Sequence, residues 1–231
     1  MAEFIQSIPV WGVTLTLGAF ALGTWLNKKT GMAIFNPLLL GSIFVIVFLS
    51  LARIPLEDYQ ERVSFLNYLL LPATVSLAVP LYEQWQILRK NAVAVLCGIA
   101  AGSVTSMVSI IAVGWLLRID PVISASMMTK SVTTAIGVEV AQELGGIGSL
   151  AGSVIVLTGI VGNLSAAALC RICRLRDPVA RGVAIGTGSH AVGTAKALQM
   201  GPVEGAVSSV SIAVAGVLTA VICPLLANFL P

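Results

Sequence analysis

Apolar runs, separated by charged or glycine- and proline-rich breaks, divide the chain into eight segments: about 8–26, 32–52, 66–82, 91–117, 122–143, 147–169, 182–199 and 205–229. Each is long enough to enter or cross a bilayer as a helix. The first reads as a plain helix ending at Asn27-Lys28-Lys29. With Glu3 ahead of it and no basic leader, that run is expected to stay as a first membrane helix and not to be cleaved as a signal peptide. The second carries Asn36-Pro37 near its start, which predicts an irregular first turn. A charged connection, Arg53 to Arg62, leads to the third, where Pro72 and Pro80 predict a kinked or discontinuous helix.

The fourth segment is the longest and carries Gly98-x-x-x-Gly102, a small-residue packing face open to use within the subunit or between subunits. The fifth has Lys130 near its middle and ends in Glu139, Glu143 and Gly145-Gly146. The sixth leads to a basic loop holding Arg171, Arg174, Arg176 and Arg181. The seventh is crowded with glycine, from Gly182 through Gly193, and glycine disfavours a continuous helix by about 1 kcal/mol per residue.

The starts of segments one to four recur 114–116 residues later in segments five to eight. In each half the third segment is the broken one. Matching broken helices in two halves are a sequence pointer to a transporter site, although similar spacings also arise because spanning helices cluster near 20 residues. The positive-inside rule places Lys28-Lys29 and the arginine loop on one side, which eight full crossings do not allow. Re-entrant segments at 66–82 and 182–199 restore the rule, and so does a re-entrant 122–143 alone. The first option matches the breakers. The expected architecture is an all-α polytopic membrane protein with inverted repeats and broken or re-entrant helices, transporter-like. Residues 1–231 are expected to form a single integral membrane domain, and the spacing of segments, though not residue identity, suggests repeat halves 1–118 and 119–231.

Composition agrees with the pattern. The chain is 57% hydrophobic and 10% charged with mean hydropathy +0.98, far from the roughly 25% charged composition of soluble domains. A net charge of +3 without interleaved aromatics and basic residues gives no reason to expect nucleic acid as a partner. Cys170-x-x-Cys173 lacks the second ligand pair of a zinc site, so neither a metal nor a cofactor is expected.

Two stretches combine ionisable and hydroxyl groups away from charged loops. In Met128–Ala135, Lys130, Thr133 and Thr134 share a face if helical, with Ser131 beside them. An ammonium at a helix centre costs about 2.5–3.5 kcal/mol on insertion scales, which favours a functional lysine. Snorkelling or pairing with Glu139 or Glu143 would make it structural. In Gly186–Lys196 stand Ser189, His190 (the only histidine), Thr194 and Lys196. Small-residue packing accounts for the glycines but does not require His190 or Lys196. Hydroxyls, a lysine and the N-termini of broken helices together suit a carboxylate, and an imidazole can carry a coupled proton or simply be hydrogen-bonded in the core. Lys130, Ser131, Thr133, Thr134, Ser189, His190, Thr194 and Lys196 are therefore the candidate substrate-binding residues, expected to converge on one cavity at mid-membrane. Adjacent Ser189 and His190 face apart on a helix and make no nucleophile–base pair, so an enzyme is not expected.

Asn36-Pro37-Leu38-Leu39, Pro80-Leu81-Tyr82-Glu83, Lys130-Ser131-Val132-Thr133-Thr134, Ala180-Arg181-Gly182, Ser189-His190, Val192-Gly193-Thr194-Ala195 and Glu204-Gly205-Ala206 give the chain a resemblance to the LrgB/CidB family of bacterial membrane proteins over nearly its whole length. Two departures matter. Thr129 and Ala135 stand where the family usually has prolines, which weakens the expected break in 122–143. Gly188 replaces a usual alanine, and Lys196 a frequent arginine. The resemblance implies a multi-pass protein of the cytoplasmic (inner) membrane and two function classes. One is transport of small monocarboxylates such as glycolate, glycerate or pyruvate, proton- or ion-coupled. Transport is the preferred reading, because intramembrane Lys130 and His190 favour it; the alternative is holin- or antiholin-like modulation of murein hydrolase activity and autolysis. It also implies a small LrgA/CidA-like membrane subunit as partner, and a homodimer is expected.

Overall fold

The computed structural model describes residues 10–30 and 35–231. The first residues of the segments expected to begin at 8 and at 32 lie outside this set. The described residues contain helices and connections but no strand, and three helices are long and apolar enough to cross a membrane. The chain is an all-α polytopic membrane protein. Its contacts divide it into two compact units, residues 1–76 and 77–231.

In the first unit, α1 (Trp11–Thr30) and α2 (Pro37–Ala52) pack antiparallel, Gly23 against Pro37 and Gly41 against Ala19 and Phe20. A Cβ at Gly23 would come within 2.9 Å of the Pro37 backbone, so this crossing admits only glycine. Asn36-Pro37 is not an irregular turn inside a helix but its start. Asn36 Oδ1 accepts from the Leu38 and Leu39 amides at 2.8 and 3.4 Å, and Pro37 takes the first position, where no amide is needed. α3 (Leu56–Tyr68) docks through Tyr59, whose hydroxyl lies 2.7 Å from Thr16 Oγ1 and whose ring meets Trp11 at 6.0 Å. α4 (Leu70–Ser76) follows.

The prolines of the third segment break it where their geometry requires. A proline clashes with the carbonyl four residues earlier. Pro72 and Pro80 point back to Tyr68 and Ser76, the last residues of α3 and α4.

The second unit continues with α5 (Ala78–Glu83), α6 (Trp85–Lys90) and α7 (Ala92–Leu117). Next come α8 (Pro121–Met128), α9 (Thr134–Glu143), α10 (Gly148–Ile172), α11 (Pro178–Met200) and α12 (Pro202–Ala227). α7, α10 and α12 are the three that, among the described residues, are long and apolar enough to span.

Segment 182–199 folds back, as the breakers suggested. α11 is helical on both sides of His190, which has φ 42° and ψ −143°. A Cβ on Gly193 would lie 3.3 Å from the Ile185 carbonyl, eight residues back, and Arg181 and Met200, at opposite ends of the element, line one cavity. Segment 122–143 folds back as well. A Cβ at Gly146 would sit 2.9 Å from both the Ala141 carbonyl and the Ser126 amide, and the Ile147 amide donates to Ser126 Oγ at 2.7 Å. The departure from proline at Thr129 and Ala135 therefore does not keep this segment straight. The second half holds two reversing segments where the expected pattern placed one, whereas α1, the counterpart of 122–143, is uninterrupted.

Connectivity sets how the two hairpins enter. The first starts after α7 and ends at the start of α10; the second starts after α10 and ends at the start of α12. Because α10 crosses between them, their bases lie at opposite ends of α10 and their tips point towards the middle. Asp120 and Asp177 cap the opening helices, accepting from the Val122 amide at 2.8 Å and the Ala180 amide at 3.0 Å, each with proline at the first position.

Candidate functional site

The tip of the first hairpin, Thr129–Thr133, is short and non-helical, and it exposes Lys130 and Ser131 to the neighbouring α7. Lys130 Nζ donates to Ser106 Oγ at 2.5 Å and to Ser131 Oγ at 3.3 Å, and the two serine hydroxyls lie 2.9 Å apart. Lys130 thus has hydroxyl partners and, among the described residues, no carboxylate. In place of Glu139 or Glu143, Lys130 meets two serines, Ser106 of α7 and Ser131 of the tip itself.

Lys130 borders a cavity of about 310 Å³ shared by Thr105, Ser106 and Ser109 of α7 and Thr187 and Gly188 of the second hairpin. That is the low end of the range for small-ligand sites, about 300–1,000 Å³. Gly98 and Gly102 form part of its wall, with the second hairpin seated on them: added Cβ atoms would lie 3.1 Å from Val183 Cγ1 and 2.8 Å from Thr187 Cγ2. Their small-residue face is used inside the subunit. Beneath the cavity is an enclosed recess of about 10 Å³, lined by Ser103, Thr129 and Thr187 among others. These three buried hydroxyls make no hydrogen bond within the protein, and the recess has room for one water.

The second tip has a different architecture. Ser189 packs on Gly162 of α10 and His190 on Gly159, where a Cβ would come within 2.7 Å of the imidazole. The partner of His190 Nε2 is the Ile155 carbonyl at 2.9 Å, which only accepts, so this nitrogen carries the proton. Thr194 Oγ1 donates to the His190 carbonyl at 3.0 Å and takes its second contact, at 2.7 Å, from Ser208 Oγ of α12. Asn163 Nδ2 donates to the Val192 carbonyl at 2.7 Å. A positive φ on a non-glycine residue costs about 1–3 kcal/mol and persists only where its surroundings over-determine it. Here α10 and α12 supply those surroundings.

The fold therefore does not build the single expected cavity. Lys130 and Ser131 share one with Thr187 and Gly188, while Ser189, His190 and Thr194 are buried and turned to α10 and α12. Thr133 precedes α9 without a side-chain cap bond, and Thr134 is exposed. Lys196 lies on the return arm, half-buried, its Nζ 3.4 Å from Gln199 Oε1. The sequence reading does not single out Ser103, Thr105, Ser106, Ser109 or Thr187; the available signal for the first four is four hydroxyls within seven residues of an apolar helix. Among the described residues no three His, Cys, Asp or Glu side chains come together to hold a metal, and all four cysteines are free.

Residues 16–229 match the LrgB-like family. The chain belongs to the LrgB family. Antiholin-like protein LrgB of Bacillus mycoides (strain KBAB4) is 32% identical over 223 residues, 96% of this chain and 97% of that protein. The LrgB proteins of Bacillus cereus (strain B4264) and Bacillus anthracis (strain CDC 684 / NRRL 3495) are each 31% identical over the same shares. No solved structure matches the chain. The LrgB resemblance read from the residues is thus established over almost the entire length, and the two hairpins lie within the matched region.

Proposed function

We propose that this LrgB-family protein works in the cytoplasmic membrane as an antiholin-like modulator of murein hydrolase activity and autolysis. The support is full-length similarity to proteins named antiholin-like. A small LrgA/CidA-like membrane subunit and a second copy of the chain are its proposed partners.

A second reading is favoured by one observation: an ammonium inside a membrane protein, cradled by serines and facing a cavity without a carboxylate. A half-buried charge with no carboxylate beside it favours a counter-charge, and in this cavity a solute can supply it. In that reading the protein moves a small monocarboxylate, glycolate-, glycerate- or pyruvate-like, with a coupled proton or ion, and lysis control follows from it. Lys130 would hold the carboxylate, Ser106 and Ser131 would orient the ammonium, and Thr187 would meet the solute from the second hairpin.

Uptake of labelled pyruvate, glycolate and glycerate into proteoliposomes, with and without the small subunit, separates the readings. Transport predicts saturable uptake that Lys130→Met removes at unchanged folding. Absence of uptake in both preparations, together with altered lysis timing in cells expressing the protein beside a holin, leaves the modulator reading alone.

A further inference from the structure

The basic turn between α10 and α11 serves neither reading. Arg171, Arg174 and Arg176 are exposed and Arg181 half-buried, and all four line one open cavity of about 430 Å³. Ala167, Leu175 and Met200 give that cavity an apolar side. Its frame is held by backbone. The Leu175 amide donates to the Cys170 carbonyl at 2.8 Å, and Arg174 turns the chain in the left-handed region at φ 54°.

Arg181 is fixed at the back. Its Nε donates to the Leu175 carbonyl at 2.8 Å, and Nη1 lies 3.4 Å from the buried Glu204 carboxylate. The other three arginines have no ion pair among the described residues. Three like charges around one hollow repel one another, and an anion seated among them turns that repulsion into attraction. Guanidinium forks match tetrahedral oxyanions in bidentate fashion, which ammonium groups do not. The cavity also lies where a spanning helix ends, the depth at which lipid phosphates meet a basic protein rim. An excess of basic residues in such a loop orients a chain in the membrane wherever the charges stand. Orientation alone does not require four arginines on one cavity with an apolar side.

We propose that this cavity is a phosphate-binding site, filled by the headgroup of an anionic phospholipid or by free phosphate. The test is thermal unfolding of the full-length protein in mild detergent, titrated with inorganic phosphate, with phosphatidylglycerol and with phosphatidylcholine of the same chain length. Wild type is expected to be stabilised by phosphate or phosphatidylglycerol and not by phosphatidylcholine. Stabilisation by phosphate alone identifies a soluble ligand; stabilisation by phosphatidylglycerol with phosphate ineffective identifies a headgroup. R171Q/R174Q/R176Q is expected to weaken the response at least tenfold. The corresponding triple lysine variant, which keeps the charge and loses the fork, is expected to weaken it several-fold. Arg181 is left intact because it braces α12. Should the triple variant fail to elute as a monodisperse particle, the three single glutamine variants carry the test, each with a several-fold loss. No stabilisation of wild type by either anion, equal stabilisation by phosphatidylcholine, or unchanged responses in the glutamine or lysine variants would overturn the site.

Discussion

Gly162→Ala probes the wall on which the second hairpin turns. Two effects oppose each other. Alanine is favoured over glycine inside a helix by about 1 kcal/mol, and Gly162 lies well within α10. Against that, the new methyl would interpenetrate both Oγ and Cβ of Ser189. The hydroxyl can rotate away, but Ser189 Cβ is fixed to backbone next to the strained His190. Overpacking of this kind costs about 1–3 kcal/mol, and the backbone-linked neighbour puts it at the upper end. The net is a loss of about 1–2 kcal/mol, which at about 2–4 °C per kcal/mol lowers the melting temperature by about 2–8 °C. Gly18→Ala is the matched control. That position is exposed on α1 with nothing within 4 Å of an added Cβ, so the propensity gain stands unopposed. Melting of purified variants in one detergent decides it. A Gly162→Ala protein that melts at or above wild type, beside a normally behaving Gly18→Ala, would refute the claim that α10 is moulded to the hairpin tip.

Asn36→Ala removes the cap of α2 and should cost about 1 kcal/mol, checked by denaturant unfolding. Glu204→Gln leaves Arg181 without its carboxylate; since the guanidinium is one-third exposed, the expected loss is about 1–2 kcal/mol, read from the melting temperature at moderate salt. His190→Ala should cost about 1–3 kcal/mol through the lost bond to Ile155, visible as earlier melting at neutral pH.

The sequence carried the breaks better than the side chains' destinations. Pro72 and Pro80 marked the ends of α3 and α4, and the glycines around His190 marked the second hairpin, because local backbone chemistry decides where a helix stops. The first hairpin was harder to place. Without flanking prolines, the reversal at Thr129–Thr133 has no local breaker, and the contacts that draw its arms together, Gly146 against Ser126 and Ala141 and the Ile147 amide on Ser126, are ones no local pattern reveals. Lys130 is legible as a charge within an apolar segment, yet its partner Ser106 is 24 residues away on another helix. His190 drew attention as the sole histidine and an acid–base candidate; the fold uses it to anchor a chain reversal. Gly188, where the family usually carries alanine, has open space around a Cβ, so that departure is sterically idle.

The shortness of the first hairpin has an electrical consequence. Its arms hold 8 and 10 residues, about 12 and 15 Å at 1.5 Å per residue, against about 30 Å of hydrocarbon. Lys130 at the tip thus stands about halfway through the insulating layer. In the transport reading, a monovalent anion travelling from either face to that ammonium would cross roughly half of the transmembrane potential, worth about 1.2 kcal/mol per 100 mV. Occupancy of the cavity would then change several-fold between a de-energised and an energised membrane, and in opposite directions for anions arriving from the two faces.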